Sequence, residues 1–118
     1  NILSINVHGG TPALAVYSAS KAATALLTRN TAFAHRTDRI RVNGINLGWV
    51  ATEAEHRMQA EVMGRGQDWQ EAAAKALPLG RLVAAEEAAR LAVFLLSDAS
   101  IPMSGAIIDL EQKVAGAI

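Results

Sequence analysis

The sequence predicts an α/β fold built on an open, parallel sheet. Three observations predict it: short apolar runs with a strand's β-branched look, alanine- and leucine-rich stretches of helical character between them, and their order of strand, helix, strand, helices, strand. Parallel neighbours cannot be joined by tight turns, so such an order implies right-handed helical crossovers.

Each element has its own signal. Residues 1–7, NILSINV, read as a buried strand, and HGGTP (8–12) supplies the glycines and proline of a loop. Residues 15–36 contain no glycine or proline, and Leu26, Leu27, Phe33 and Ala34 recur near helical spacing, so a long helix is expected. IRVNGINLG (40–48) reads as a second strand ending at Gly48. Residues 52–77 read as helix in two pieces, parted by Gly64 and Gly66. Thr52 with Glu55, and Asp68 with Glu71, have capping-box spacing, and Pro78 closes the second piece. Residues 86–97, EEAARLAVFLLS, put acids in the first turn and Leu91, Phe94 and Leu95 on one face. GAIIDL (105–110) is the third strand.

Composition narrows the function classes. With 118 residues, 51% of them hydrophobic, the chain can bury one modest core, and no run approaches the roughly 20 apolar residues of a membrane span. Eleven basic and eleven acidic side chains leave no net field for nucleic acid or an anionic membrane, and the basic cluster HRTDRIR (35–41) reads as a helix end and turn. No charged, then apolar, then small-residue leader opens the sequence either, so a cytoplasmic location is expected, and the absence of cysteine fits a reducing compartment. His8, His35 and His56 lack metal-ligand spacing, and no metal is expected. The sequence opens on Asn1 inside a strand-like run, which suggests a chain entered midway.

The chemistry concentrates in AVYSASKAA (15–23). Tyr17 and Lys21 stand four apart, so on a helix they face the same way. A phenol is protonated at neutral pH, and a neighbouring cation favours the ionised form that a proton shuttle needs. Ser4 lies thirteen residues before Tyr17, at the end of a predicted strand, and ligands of open α/β sheets bind beyond the carboxyl ends of the strands.

In NILS, YSASKAA, RVNGINLGWVAT and PLGRLVAAEEAARLAVFLLSDASIPMSGAIIDL, the sequence resembles the C-terminal half of a short-chain dehydrogenase/reductase over essentially its whole length. The resemblance implies the C-terminal portion of a Rossmann-type doubly wound sheet, with three strands, flanking helices and a helical substrate segment at about 52–77. It implies an NAD- or NADP-dependent oxidoreductase that interconverts a secondary alcohol and a ketone. Tyr17 would be the general acid/base, Ser4 would hold the reacting oxygen, and Lys21 would favour the ionised tyrosine and bond the nicotinamide ribose. Leu47, Gly48, Val50 and Thr52 would line the cofactor, and Asn6, His8 and Trp49 are candidates for the substrate pocket. The helices at 15–36 and 86–97 resemble the family's packing helices, implying a homodimer or homotetramer.

Some residues depart from the family pattern. Leu47 stands where proline is usual before Gly48, the helix at Glu86 follows VAA rather than a good cap, and Asp109, Leu110 and Glu111 stand where Asp-Gly-Gly is usual. No glycine-rich phosphate turn, NAD/NADP selector or helical asparagine of the family's active site is present. The dinucleotide-binding N-terminal half is therefore expected to be absent, and the chain alone to be inactive and weak in cofactor binding. Two other readings compete. Ser18 and Lys21 spell SxxK, the motif of serine acyl-enzymes, though its companion motifs are missing; a noncatalytic assembly subunit would keep the helices alone. Trp49, Met58, Met63 and Trp69 could line an apolar pocket or simply pack a helix pair.

Overall fold

A computed structural model describes residues 1–9 and 12–114. Gly10 and Thr11 of the expected loop lie outside the described residues. Strands β1 (Ile2–Ser4), β2 (Gly44–Leu47) and β5 (Ile107–Leu110) form a parallel sheet in the order β1-β2-β5. Helix α1 (Ala15–Ala34) links the first two; α2 (Glu53–Arg57), α3 (Trp69–Lys75) and α4 (Ala85–Leu96) lie between the second and third. A further parallel pair, β3 (Val50–Ala51) with β4 (Val83–Ala84), was not expected from the sequence.

The sheet is covered on both faces. Asn1 Nδ2 donates to Thr28 Oγ1 of α1 at 2.8 Å, so α1 lies on the face of Asn1 and Leu3. Side chains alternate along a strand, and the opposite face presents Ile2 and Ile45, which share a cavity of about 290 Å³ with Ala92, Leu95 and Leu96 of α4. Gly44 leaves room in the central strand for side chains of the two flanking strands, because a Cβ there would come 2.8 Å from the side-chain tips of both Leu3 and Ile107.

Several boundaries differ from expectation. The first strand stops at Ser4, and Ile5–His8 turn into a 3-10 helix because the Ser4 side chain accepts from the Asn6 amide. Residues 40–43 are not strand; Val42 and Asn43 bond instead to the 103–106 segment through Ser104 Oγ, the Met103 carbonyl and the Ala106 amide. After Arg57 the helix widens into a π-type turn over Met58–Val62. The Asp68 side chain caps nothing, its backbone carbonyl serving Glu71 and Ala72 instead. In α1 the buried residues are Thr28 and Ala32, whereas Leu26, Leu27 and Phe33 are exposed, Phe33 by 69%. Small residues meet the sheet, and the large apolar ones project from the other side of the helix.

Candidate active site

Parallel register brings the strand ends level. Ser4 pairs with Leu47 and Leu47 with Leu110, and the Gly48 amide donates to the Leu110 carbonyl at 3.2 Å. Ser4, at this edge, is buried, and its Oγ accepts from the Asn6 amide at 3.2 Å. Its extended backbone suits an N-cap, so one hydroxyl both ends the strand and starts the turn. The turn carries Asn6 and His8 and closes on Gly9, whose φ of 86° favours glycine.

Tyr17 and Lys21 occupy the first turns of α1, which packs against β1 and the Ile5–His8 turn. They do share a side: Lys21 Nζ lies 5.7 Å from the centre of the Tyr17 ring. The ammonium also donates to the Ile2 carbonyl at 3.2 Å. Because the Asn1 carbonyl takes the Ile45 amide, the next carbonyl along, that of Ile2, points to the open edge of the sheet. Lys21 therefore spans from the strand that ends in Ser4 to the tyrosine, a residue 42% exposed. Ser18 faces elsewhere: its Oγ is enclosed without a hydrogen-bond partner and is not presented to an acyl donor.

The expected cofactor segment follows β2. Thr52 is the N-cap of α2, accepting from the Glu55 amide at 3.2 Å, while Glu55 turns to Gln59 Nε2 at 2.7 Å, leaving the capping box half made. Val50 is held by pairing with Val83. Trp49 packs edge-on against Trp69, with ring centres 5.8 Å apart, and the Arg65 guanidinium lies 5.2 Å from its ring. Trp69 is buried with Ala60, Ala73, Leu77 and Leu82, and its indole N–H bonds His56 Nδ1 at 3.1 Å. Met58 and Met63 face solvent. Ala84 cannot cap α4, so Glu87 reaches back to its amide at 2.7 Å while Arg81 grips the same carboxylate at 2.8 and 2.9 Å. The Arg81 and Ala84 bonds pull Glu87 down to about 2.

The sequence did not reveal a polar tie across the sheet beside Ser4. Asn46 is fully buried, and its Nδ2 donates to Asp109 Oδ1 at 2.6 Å; His8 Nε2 meets the two Asp109 oxygens at 3.2 and 3.0 Å. Burial alone would raise the Asp109 carboxyl, but the bonds from Asn46 and His8, and the attraction of His8, hold it below its ordinary value. His8 thus belongs to a tether between the Ser4 turn and β5. The available signal was Asn46 at a central strand position, a polar residue that needs a partner when buried. Among the described residues, no group of three His, Cys, Asp or Glu is placed to hold a metal, and no helix is long and apolar enough to cross a membrane.

Comparison with known proteins agrees with this fold. Residues 1–112 match the family described as "Enoyl-(Acyl carrier protein) reductase". A cis-4-hydroxycyclohexanecarboxylate dehydrogenase of Sinomonas cyclohexanicum is 35% identical over 94% of this chain and 42% of its own length. A gluconate 5-dehydrogenase of Gluconobacter oxydans strain 621H is 33% identical over 92% of this chain and 40% of its own. The crystal structure of YwfH, an NADPH-dependent reductase involved in bacilysin biosynthesis, superposes on the whole chain with a TM-score of 0.87 at 28% identity, over 46% of that protein. The chain therefore spans less than half the length of these relatives. Its parallel strands and the match over residues 1–112 lead to one assignment: the chain belongs to the short-chain dehydrogenase/reductase family.

Proposed function

We propose that this chain carries the acid/base half of an NAD- or NADP-dependent oxidoreductase acting on a secondary alcohol or its ketone. The observation that carries the reading is the Lys21 ammonium, anchored on the Ile2 carbonyl two residues before Ser4 and 5.7 Å from the Tyr17 ring. Tyr17 gives a proton to the carbonyl oxygen in reduction and takes it from the hydroxyl in oxidation. The Ser4 hydroxyl accepts the Asn6 amide on one lone pair and keeps its O–H to donate to the same oxygen. Lys21 places its positive charge on the same side of α1 as the tyrosine ring.

The donor set suits the nicotinamide end of a dinucleotide. The Lys21 ammonium fits ribose hydroxyls, and the Val50 backbone and Thr52 hydroxyl fit a carboxamide. When bound, that group supplies the hydride chemistry, and the protein supplies position and charge. The sequence carries no glycine-rich turn for the pyrophosphate, so the chain alone is expected to bind dinucleotide more weakly than micromolar. Fluorescence titration with NAD and NADP checks that expectation, and micromolar affinity refutes it. The catalytic reading is tested on the complete reading frame that encodes this chain, by screening alcohols and ketones with both cofactors. Turnover that Tyr17→Phe abolishes supports it; turnover indifferent to Tyr17→Phe overturns it.

A second reading, an assembly subunit without catalysis, is favoured by the exposed apolar residues Leu26, Leu27 and Phe33 on α1 and Val93 and Leu96 on α4. These surfaces suit pairing into a homodimer or homotetramer whether or not the site turns over. A soluble, cytoplasmic setting and a small-molecule substrate complete the proposal, with neither nucleic acid nor membrane as partner.

A further inference from the structure

Glu111 stands where a glycine is usual, and its place is unusual for a carboxylate. It follows β5 directly, at the strand ends that carry Ser4 and Leu47, and its carboxylate lies against Gly48: a Cβ on that glycine would overlap the carboxylate oxygens. The Gly48 amide bonds the Leu110 carbonyl, so the two segments are stitched together at this point. The next residue fixes the segment further, Gln112 accepting from the Leu79 amide at 2.9 Å and donating to the Arg81 carbonyl at 2.6 Å. Glu111 is half-buried, and among the described residues no lysine, arginine or histidine forms an ion pair with it. The nearby Arg81 is committed to Glu87.

We propose that Glu111 gives this site a preference for the oxidised, cationic nicotinamide over the neutral reduced one. The inference rests on the cofactor reading above, in which the carboxamide meets Val50, two residues after Gly48. A carboxylate set against Gly48, with one oxygen accepting the Gln112 amide at 2.5 Å and no cationic side chain paired to it among the described residues, interacts with the cationic ring and not with the neutral one. The adjacent phosphate is common to both redox forms, so it cancels in the ratio of their affinities.

Nicotinamide mononucleotide isolates this effect, because it needs only the half of the pocket that the chain contains. Its oxidised and reduced forms are titrated into the isotopically labelled chain and followed by NMR shifts at Tyr17, Lys21 and Thr52. Relative to the reduced form, the oxidised form is expected to lose about three- to tenfold in affinity in Glu111→Gln, to keep its advantage in Glu111→Asp, and to lose part of it at high salt. An unchanged ratio in Glu111→Gln, with binding retained, overturns the role of Glu111 and leaves the cofactor reading standing. No shift at the three site residues with either form overturns the cofactor reading itself, and Glu111's role with it.

Discussion

Asp109→Ala is expected to destabilise the chain mainly through Asn46. Two bonds are lost, and exposure separates their weights. The His8 pair lies at the surface, with side chains 45% and 36% exposed, and pairs of that kind contribute about 0–1 kcal/mol, here at the lower end. Asn46 is fully buried, and its Oδ1 already has no partner. Removing Asp109 leaves the whole amide unsatisfied in the sheet, and losing a buried bond to a charged group costs about 1.5–3 kcal/mol. The expected loss is therefore about 2–3 kcal/mol for Asp109→Ala and under about 1 kcal/mol for His8→Ala. Replacing both partners removes the orphaned amide, so adding Asn46→Leu to Asp109→Ala is expected to recover at least half of the loss. Urea unfolding followed by far-UV circular dichroism reads all three. The reasoning fails if Asp109→Ala costs no more than His8→Ala, or if the second substitution deepens the loss. The sign with pH is also set: the Asp109 carboxyl is held below its ordinary value in the fold, so its contribution is complete above the ordinary carboxylate range and disappears as the pH falls through the lowered value.

Glu87 is pulled from 4.5 to about 2, so the stability it contributes is complete above about pH 4.5 and lost as the pH falls towards 2. Thermal melts should accordingly show Glu87→Gln less stable than the parent at neutral pH, with the gap closing in that window. Trp69→Ala removes the centre of the cluster of Ala60, Ala73, Leu77 and Leu82 and is expected to cost about 3–5 kcal/mol, with loss of the near-UV signal of the Trp49–Trp69 pair; a loss below about 1 kcal/mol would contradict the packing. Phe33→Ser should weaken self-association measured by sedimentation if the exposed face of α1 is a packing surface, and an unchanged sedimentation profile would place assembly elsewhere.

What could be read from the sequence followed local chemistry. The Tyr17 to Lys21 spacing and the Thr52 cap are decided by residues near one another in the chain, and the structure holds them in the expected elements. Where sequence reasoning fell short, distant partners decided. Ile40 to Asn43 look like strand, yet Val42 and Asn43 find their hydrogen bonds in residues about sixty positions away. The β3–β4 pair is two residues long on each side, too short for any periodic signal. Leu26, Leu27 and Phe33 look like a core stripe, but Thr28 and Ala32 are the buried residues instead: Thr28 bonds Asn1 beside β1, and Ala32 lies against Gly105. The Asp68 cap failed for a local reason: the Glu71 amide that its side chain would bind is taken by the Asp68 carbonyl.

The chemical half of the site and its mechanical support converge on one short turn. Ser4 is a strand terminus, a helix cap and a candidate hydrogen-bond donor, so any movement of the Ile5–His8 turn moves the hydroxyl that would hold the substrate oxygen. The turn is fixed from two sides: α1 packs on it and brings Tyr17 and Lys21, while His8 fastens it to Asp109 and, through Asp109, to Asn46 in the central strand. Lys21 adds a third link by binding the strand at Ile2. If His8 serves this tether rather than the substrate, His8→Ala should alter turnover in the complete enzyme through poorer placement of Ser4, and His8→Ala combined with Ser4→Ala should be no slower than Ser4→Ala alone. A double substitution that is slower by the product of the two single effects would mean that His8 acts on the substrate independently, and the tether would then be incidental to catalysis.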